Sequence, residues 1–178
     1  MLARRRAMSP AEVQAASQQA QQRLLALPQY RQARSLALYA PIHGEVTTEQ
    51  LCKQALIDGK AILFPAVCHH ELRFRQVASV AELVPGAFGI REPRGDLAQW
   101  EPAAIDLIVV PGVAFDSQGR RVGYGKGYYD RALHELEGSG RLIGLCYDFQ
   151  LVAEIIEVQH DVRLDLVVTE HRVLSPCD

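Results

Sequence analysis

The densest set of chemistry-bearing residues lies between Val109 and Arg131, in VVPGVAFDSQGRRVGYGKGYYDR. An apolar run ends at Pro111-Gly112, and the loop that follows carries Gly119, Gly123, Gly125 and Gly127. Arg120, Arg121 and Lys126 lie within it, and a helical pattern begins near Tyr128 with Asp130 in its first turn. This mixture suits polyphosphate. Glycines let backbone N–H groups approach phosphate oxygens, cations neutralise charge, and a helix N-terminus adds a partial positive end. A carboxylate in that first turn is a donor for the magnesium that accompanies a nucleotide. The spacing matches neither common nucleotide fingerprint. Gly125-Lys126 lacks the Ser or Thr that follows Lys in a Walker A loop, and Gly123 to Gly127 is too short for the dinucleotide pattern. The plain alternative is a glycine-rich strand-to-helix turn with solvated charges.

Elements of alternating type must position this loop. Ser9-Pro10-Ala11-Glu12 is a capping box with Pro at the first helical position, which predicts a helix to about Leu27. Leu36 to Ala40 reads as a strand ended by Pro41. Thr47 or Thr48 is expected to cap a second helix that stops at Asp58-Gly59. Ala61 to Phe64 reads as a buried strand ended by Pro65, and Glu71 to Val77 alternates as an edge or antiparallel strand does. Ile105 to Val110, Leu142 to Tyr147 and Leu164 to Val168 are further strands, and a helix spans about Tyr128 to Glu137. Short apolar runs separated by helices mean strands covered on both faces, hence a mostly parallel sheet in an α/β domain. Ligands of such sheets bind beyond the carboxyl ends of the strands, where Glu45 and the glycine loop both fall.

Composition points to one compact domain, residues 1–178, with 48% hydrophobic residues to build its core. A net charge of -2 argues against nucleic acid and against a membrane surface as partners. Arg4-Arg5-Arg6 reads as a solvated helix start. No apolar run has the length of a membrane span, and Met1-Leu2-Ala3-Arg4 lacks a signal-peptide core, so a cytoplasmic location is expected. Cys52, Cys68, Cys146 and Cys177 are scattered and expected to be reduced thiols. Cys68-His69-His70 is not expected to hold zinc, since neighbours on an extended segment point to opposite sides.

Taken whole, Pro111 to Arg131 resembles the signature of the 5-formyltetrahydrofolate cyclo-ligase family, PGxAFDxxGxRLGxGxGYYDR, with Val122 in place of Leu. The LYAPIHGEVTTE segment, the AILFP strand, GIREP and the HDVRLDLVVT tail follow the family in order. The resemblance implies a three-layer α/β/α fold similar to that of sugar-phosphate isomerases and CoA-transferases. It also implies an ATP-driven cyclisation. The formyl oxygen of 5-formyltetrahydrofolate is a poor leaving group until ATP phosphorylates it; N10 then closes the ring to 5,10-methenyltetrahydrofolate and phosphate departs. In-line positioning and charge neutralisation are what such phosphoryl transfer needs.

Carried over residue by residue, the resemblance makes Arg121, Val122, Gly123, Tyr124, Gly125, Lys126, Gly127, Tyr128 and Tyr129 the ATP loop. Lys126 and Arg121 become the catalytic cations, and Asp130 and Asp161 the Mg²⁺ ligands. Glu45, Ala40 and Tyr129 become folate contacts, with the Glu45 carboxylate accepting hydrogen bonds from the pterin N–H donors. Tyr128 fits a core position equally well, and Trp100 and Phe88 are expected to pack in core or loop. One departure stands out. The family's Lys and Arg from a helical turn upstream of the segment equivalent to Arg6-Ala7-Met8-Ser9 have no counterpart. Either one of Arg4, Arg5 and Arg6 substitutes in part, lying on a segment free to fold back, or the natural start lies upstream of Met1. Another enzyme on the same fold and a non-catalytic folate or nucleotide sensor remain alternatives, and the oligomeric expectation is a monomer or small homo-oligomer.

Overall fold

The computed structural model describes residues 1–156 and 161–176; His160, which opens the tail motif, and Cys177 lie outside them. Three helices open the chain: α1 (Leu2–Ala7), α2 (Pro10–Ala26) and α3 (Pro28–Gln32). Strand β1 (Ser35–Ala37) leads to α4 (Glu49–Ile57), then to β2 (Ala61–Cys68) and β3 (Glu71–Val77). Short strands β4 (Leu83–Pro85), β5 (Arg91–Pro93) and β6 (Gln99–Trp100) precede β7 (Leu107–Val110). The glycine loop holds β8 (Ala114–Phe115) and β9 (Arg121–Val122) and ends in α5 (Tyr128–Leu133). Strands β10 (Leu142–Leu145), β11 (Leu166–Val168) and β12 (Val173–Leu174) complete the chain.

Eight strands form one sheet in the order β12-β11-β10-β7-β1-β2-β3-β6. The five central strands from β11 to β2 are parallel, and the outer ones are antiparallel. Successive residues of each parallel strand feed opposite faces. Leu107 and Val109 of β7 join a cluster with Ala20 and Leu24 of α2 and Leu51 and Ala55 of α4. Ile108 and Val110 join a second cluster with Leu133 of α5 and Leu136. Both faces are therefore apolar, which is why LIVV and LVV show no polar alternation. The mostly parallel, doubly covered sheet expected from sequence is present.

The α2 capping box is present: Ser9 Oγ accepts the Glu12 N–H, and the Glu12 carboxylate accepts the Ser9 N–H at 2.7 Å. Several expectations need correction. Thr48 stands at the N-cap of α4, but its buried hydroxyl donates to the Tyr39 carbonyl at 2.9 Å rather than capping the helix. Strand β2 runs through Pro65 to Cys68. The Ala61 N–H points to the β1 side, as does position 65 four residues on, and the last β1–β2 pair is Ala37–Leu63. The missing N–H of Pro65 thus falls on the β1 side, beyond the last β1–β2 pair, while Pro65 stays paired with Phe74 of β3. Helix α5 is only six residues long and continues as a 3₁₀ turn, His134–Leu136. His69 and His70 form the β2–β3 turn, both at positive φ. No grouping of three or more His, Cys, Asp or Glu able to hold a metal occurs among the described residues. Cys52, Cys68 and Cys146 are free, and no helix among these residues is long and apolar enough to cross a membrane.

Candidate active site

Strand β1 is first in the chain yet central in the sheet. The chain leaves it towards β2 on one side and returns as β7 on the other. Connections leave the β1/β7 junction in opposite directions, a topological switch point that opens a crevice at the strand ends. The Glu45 turn follows β1 and the glycine loop follows β7, so parallel pairing of these neighbours brings both to one end.

The glycine loop is a built structure. Strands β8 and β9 pair antiparallel as a hairpin about the turn 116–119, within a stretch that reads in sequence as loop. Asp116, fully buried, closes the hairpin by accepting the N–H groups of Gln118 and Arg120, and it reaches the Ile155 N–H at 3.0 Å. Gly119 is required by a close approach. At φ +75 its missing Cβ would lie 2.2 Å from the Leu164 carbonyl oxygen. Gly119 therefore serves packing, whereas Gly125, at φ +79, faces open space as a phosphate-accepting glycine must. The far end is held by Arg131, which donates to the carbonyls of Lys126 at 3.0 Å and His70 at 3.3 Å. With only one and a half turns, α5 adds little dipole to the site.

The expected site residues fall into two groups. In the first, the Arg121 guanidinium, 5% exposed, pairs with Asp130 at 2.6 Å and lies over the Tyr129 ring. The Val162 N–H points to the same Asp130 oxygen at 3.4 Å, which brings the segment of Asp161 alongside. Lys126 is exposed with its ammonium 5.3 Å above the Phe88 ring. In the second group, Glu45 is 4% exposed, and its carboxylate accepts the Ile42 N–H at 3.0 Å and the Tyr124 hydroxyl at 2.8 Å. Burial pushes the Glu45 carboxyl up, against the opposing pull of the Ile42 N–H, the Tyr124 hydroxyl and Arg5. Burial, with the Glu45 charge second, pushes the Tyr124 phenol up to about 12. Burial also raises Tyr129, again with Glu45 contributing. Tyr124 belongs to the loop and touches Glu45, so it joins the two groups. Val122 and Gly123 lie just before it on the hairpin, while Gly127 caps α5 at φ +63. Ala40 packs partly against the first core cluster.

Two residues read otherwise in the sequence. Arg5 is 1% exposed: it donates to the Gly112 carbonyl at 3.2 Å and to the Tyr124 hydroxyl, and lies 3.7 Å from the Glu45 carboxylate. The arginine cluster is thus not wholly solvated, and it lies on a helix rather than on a free segment; only Arg4 and Arg6 are exposed. Phe88, expected to be packed away, is 65% exposed at φ +57, with its ring 6.4 Å from that of Tyr128. Its signal was an aromatic residue set between Gly86 and Gly89, where the flanking glycines favour a turn over a packed element. Trp100 packs partly against the second core cluster, as expected. A cleft of about 630 Å³ lies beside Arg5, Arg6 and His43 on the Glu45 side, and a second of about 570 Å³ lies away from it, between α5 residues Tyr128 and Arg131 and Trp100 of β6.

A phosphate-compatible loop meeting a buried carboxylate at the switch point of a parallel sheet defines an α/β ligand-binding enzyme site. Comparison with known proteins identifies the kind. A family model described as the 5-formyltetrahydrofolate cyclo-ligase family matches residues 1–170, and the chain belongs to this family. It is 34% identical over 176 residues to the 5-formyltetrahydrofolate cyclo-ligase of Escherichia coli (strain K12), covering 96% of each. The Haemophilus influenzae cyclo-ligase is 32% identical over 159 residues, covering 86% of this chain and 85% of the relative. The NMR structure of Aquifex aeolicus 5,10-methenyltetrahydrofolate synthetase superposes with a TM-score of 0.87 at 37% identity, covering 99% of this chain and 89% of that one. The Mycoplasma pneumoniae synthetase gives 0.77 at 30% identity, covering 95% and 93%. The fold is that of these synthetases, and the protein is an enzyme of the cyclo-ligase class.

Proposed function

We propose that the protein converts 5-formyltetrahydrofolate to 5,10-methenyltetrahydrofolate in the cytoplasm, consuming ATP with Mg²⁺ and releasing ADP and phosphate. The whole chain acts as one domain in this reading. The observation that carries it is the Tyr124–Glu45 hydrogen bond of 2.8 Å, which joins the loop suited to phosphate with the carboxylate suited to a pterin. A buried acceptor that already takes an O–H and an N–H matches the adjacent N–H donors of a pterin ring.

In the reaction the formyl oxygen attacks the γ-phosphorus, the bond to the bridging oxygen breaks, and ADP leaves. The formyl carbon, now bearing a phosphate, is open to the lone pair of N10. N10 adds, its proton is lost, and the carbon–oxygen bond breaks to expel phosphate and leave the methenyl cation. Lys126, exposed and with its ammonium held above the Phe88 ring, presents its charge to the transferring phosphoryl. Arg121 supplies a fixed charge at the base of the loop and holds the Asp130 carboxylate in place. Tyr129 flanks the folate.

Asp130 and Asp161 fit magnesium in donor chemistry: hard carboxylate oxygens on adjoining segments, one or two in number, with phosphates left to fill the remaining positions. When bound, the cation neutralises phosphate charge. The decisive experiment mixes pure protein with 5-formyltetrahydrofolate, ATP and Mg²⁺ and follows the absorbance of the methenyl product. Product that forms equally well without ATP, or none at all, removes this reading.

A further inference from the structure

Helix α1 is six residues long, and its one buried residue is Arg5. A helix is ordinarily anchored to its domain by an apolar side chain. Here the anchor is a guanidinium. It reaches the Gly112 carbonyl after β7, the Tyr124 hydroxyl of the glycine loop, and the Glu45 carboxylate after β1. The backbone joins in, since a Cβ on Gly44 would lie 3.3 Å from the Arg5 carbonyl oxygen. The Glu45 turn is thus seated directly on α1. A buried charge is tolerated only when paired and hydrogen-bonded. Among the described residues the guanidinium's two hydrogen bonds and its ion pair all go to the candidate site, its Nε being left without a partner there.

We propose that Arg5 is a positioning residue for the folate subsite, holding Glu45 ionised and aimed at the pterin through a three-way junction with Tyr124. The inference rests on the cyclo-ligase reading and deepens it: α1 completes the substrate side of the crevice, not the phosphate side. Five other groups act on Glu45 or feel its charge. Tyr124 and the Ile42 N–H bond it directly, and the phenols of Tyr39, Tyr129 and Tyr147 are raised by burial with the Glu45 charge contributing. Each can supply a neutral donor or dipole, whereas Arg5 is the cation in contact. Without it the Glu45 carboxyl keeps its desolvation but has no counter-charge, so it takes up a proton at higher pH.

The test is steady-state kinetics of the full chain against each substrate, across pH, for wild type, Arg5→Gln and Arg5→Lys. For Arg5→Gln, KM for 5-formyltetrahydrofolate should rise roughly tenfold with the ATP KM within about twofold, the scale of removing one charged partner. The acid limb of kcat/KM for the folate should move up by about one pH unit, and Arg5→Lys should recover part of both changes. A purely structural pin would lower Tm without moving the limb. An unmoved limb, or an ATP KM that rises as far as that of the folate, overturns the proposal. Should Arg5→Gln not fold, Tyr124→Phe decides: it should raise the folate KM several-fold, and an effect confined to ATP counts against the junction. An inactive wild type would instead sink the cyclo-ligase reading itself.

Discussion

Arg121 and Asp130 form an ion pair 2.6 Å apart at the base of the glycine loop, one residue 5% and the other 21% exposed at its side chain. The pair couples two duties: the guanidinium stays fixed for phosphate, and the carboxylate is oriented for a cation. Asp130→Asn separates them. It should raise the Mg²⁺ needed for half-maximal rate, because a neutral amide is a weaker ligand for a hard cation. It should also cost on the order of 3 kcal/mol in stability by leaving Arg121 buried without its partner. Chemical denaturation and a Mg²⁺ titration measure the two effects separately. Unchanged Mg²⁺ dependence in both Asp130→Asn and Asp161→Asn would mean that the cation arrives held by phosphates alone.

Lys126 is exposed and lies over the ring of Phe88, itself exposed, so removing it should leave the fold intact. Lys126→Ala should lower turnover by roughly 10²- to 10³-fold, as removal of one preorganised electrostatic donor does. Turnover within a few-fold of wild type, at unchanged Tm, would take Lys126 out of the mechanism.

Glu45 should set opposite pH trends for activity and stability. Burial raises its carboxyl in the folded protein. The stability it contributes is therefore present below its unfolded value and lost as pH rises through the folded one. The pterin needs the carboxylate, so kcat/KM for 5-formyltetrahydrofolate should rise across the same window, which lies above the ordinary carboxylate range. Glu45→Gln should flatten both curves. If its pH profiles of Tm and of kcat/KM superpose on those of wild type, Glu45 is not the titrating group.

Gly119→Ala tests whether the loop depends on its seat against Leu164. A Cβ at φ +75, 2.2 Å from a backbone carbonyl, has no flexible neighbour to push aside. Left-handed strain and the clash together should cost at least about 2 kcal/mol. Activity should fall with them, since the hairpin carries Arg121. A variant of wild-type Tm would show that the segment moves aside freely.

The parts of the fold set by local chemistry are legible in the sequence. The Ser9–Glu12 box and the alternation of Glu71–Val77 stand where their residues put them, while the strand read from Ile105 to Val110 begins only at Leu107. The joining of Glu45 to the glycine loop follows from strand ends at a switch point, although the bonding atom, the Tyr124 hydroxyl, does not. Arg5 is illegible for a physical reason. Its partners Gly112 and Tyr124 are 107 and 119 residues away, and a charged residue's burial depends on partners that only the tertiary fold assembles. Strand ends escape sequence reading likewise, because apolar content marks burial whereas pairing decides where a ladder stops. Leu38 to Ala40 are apolar but lie beyond the β1 pairs.

The central place of β1 bears on how the molecule comes to be folded. Its pairing with β2 closes a shorter stretch of chain, but its other edge needs β7, and Ser35 and Asp106 beside that seam are 71 residues apart. Until β7 leaves the ribosome, the first-made strand offers an unpaired apolar edge. Closing so long a loop before its pairing rewards it slows assembly and exposes the nascent chain to aggregation. Substitutions along this seam should therefore appear first as reduced soluble yield, before any loss is measurable in the finished enzyme.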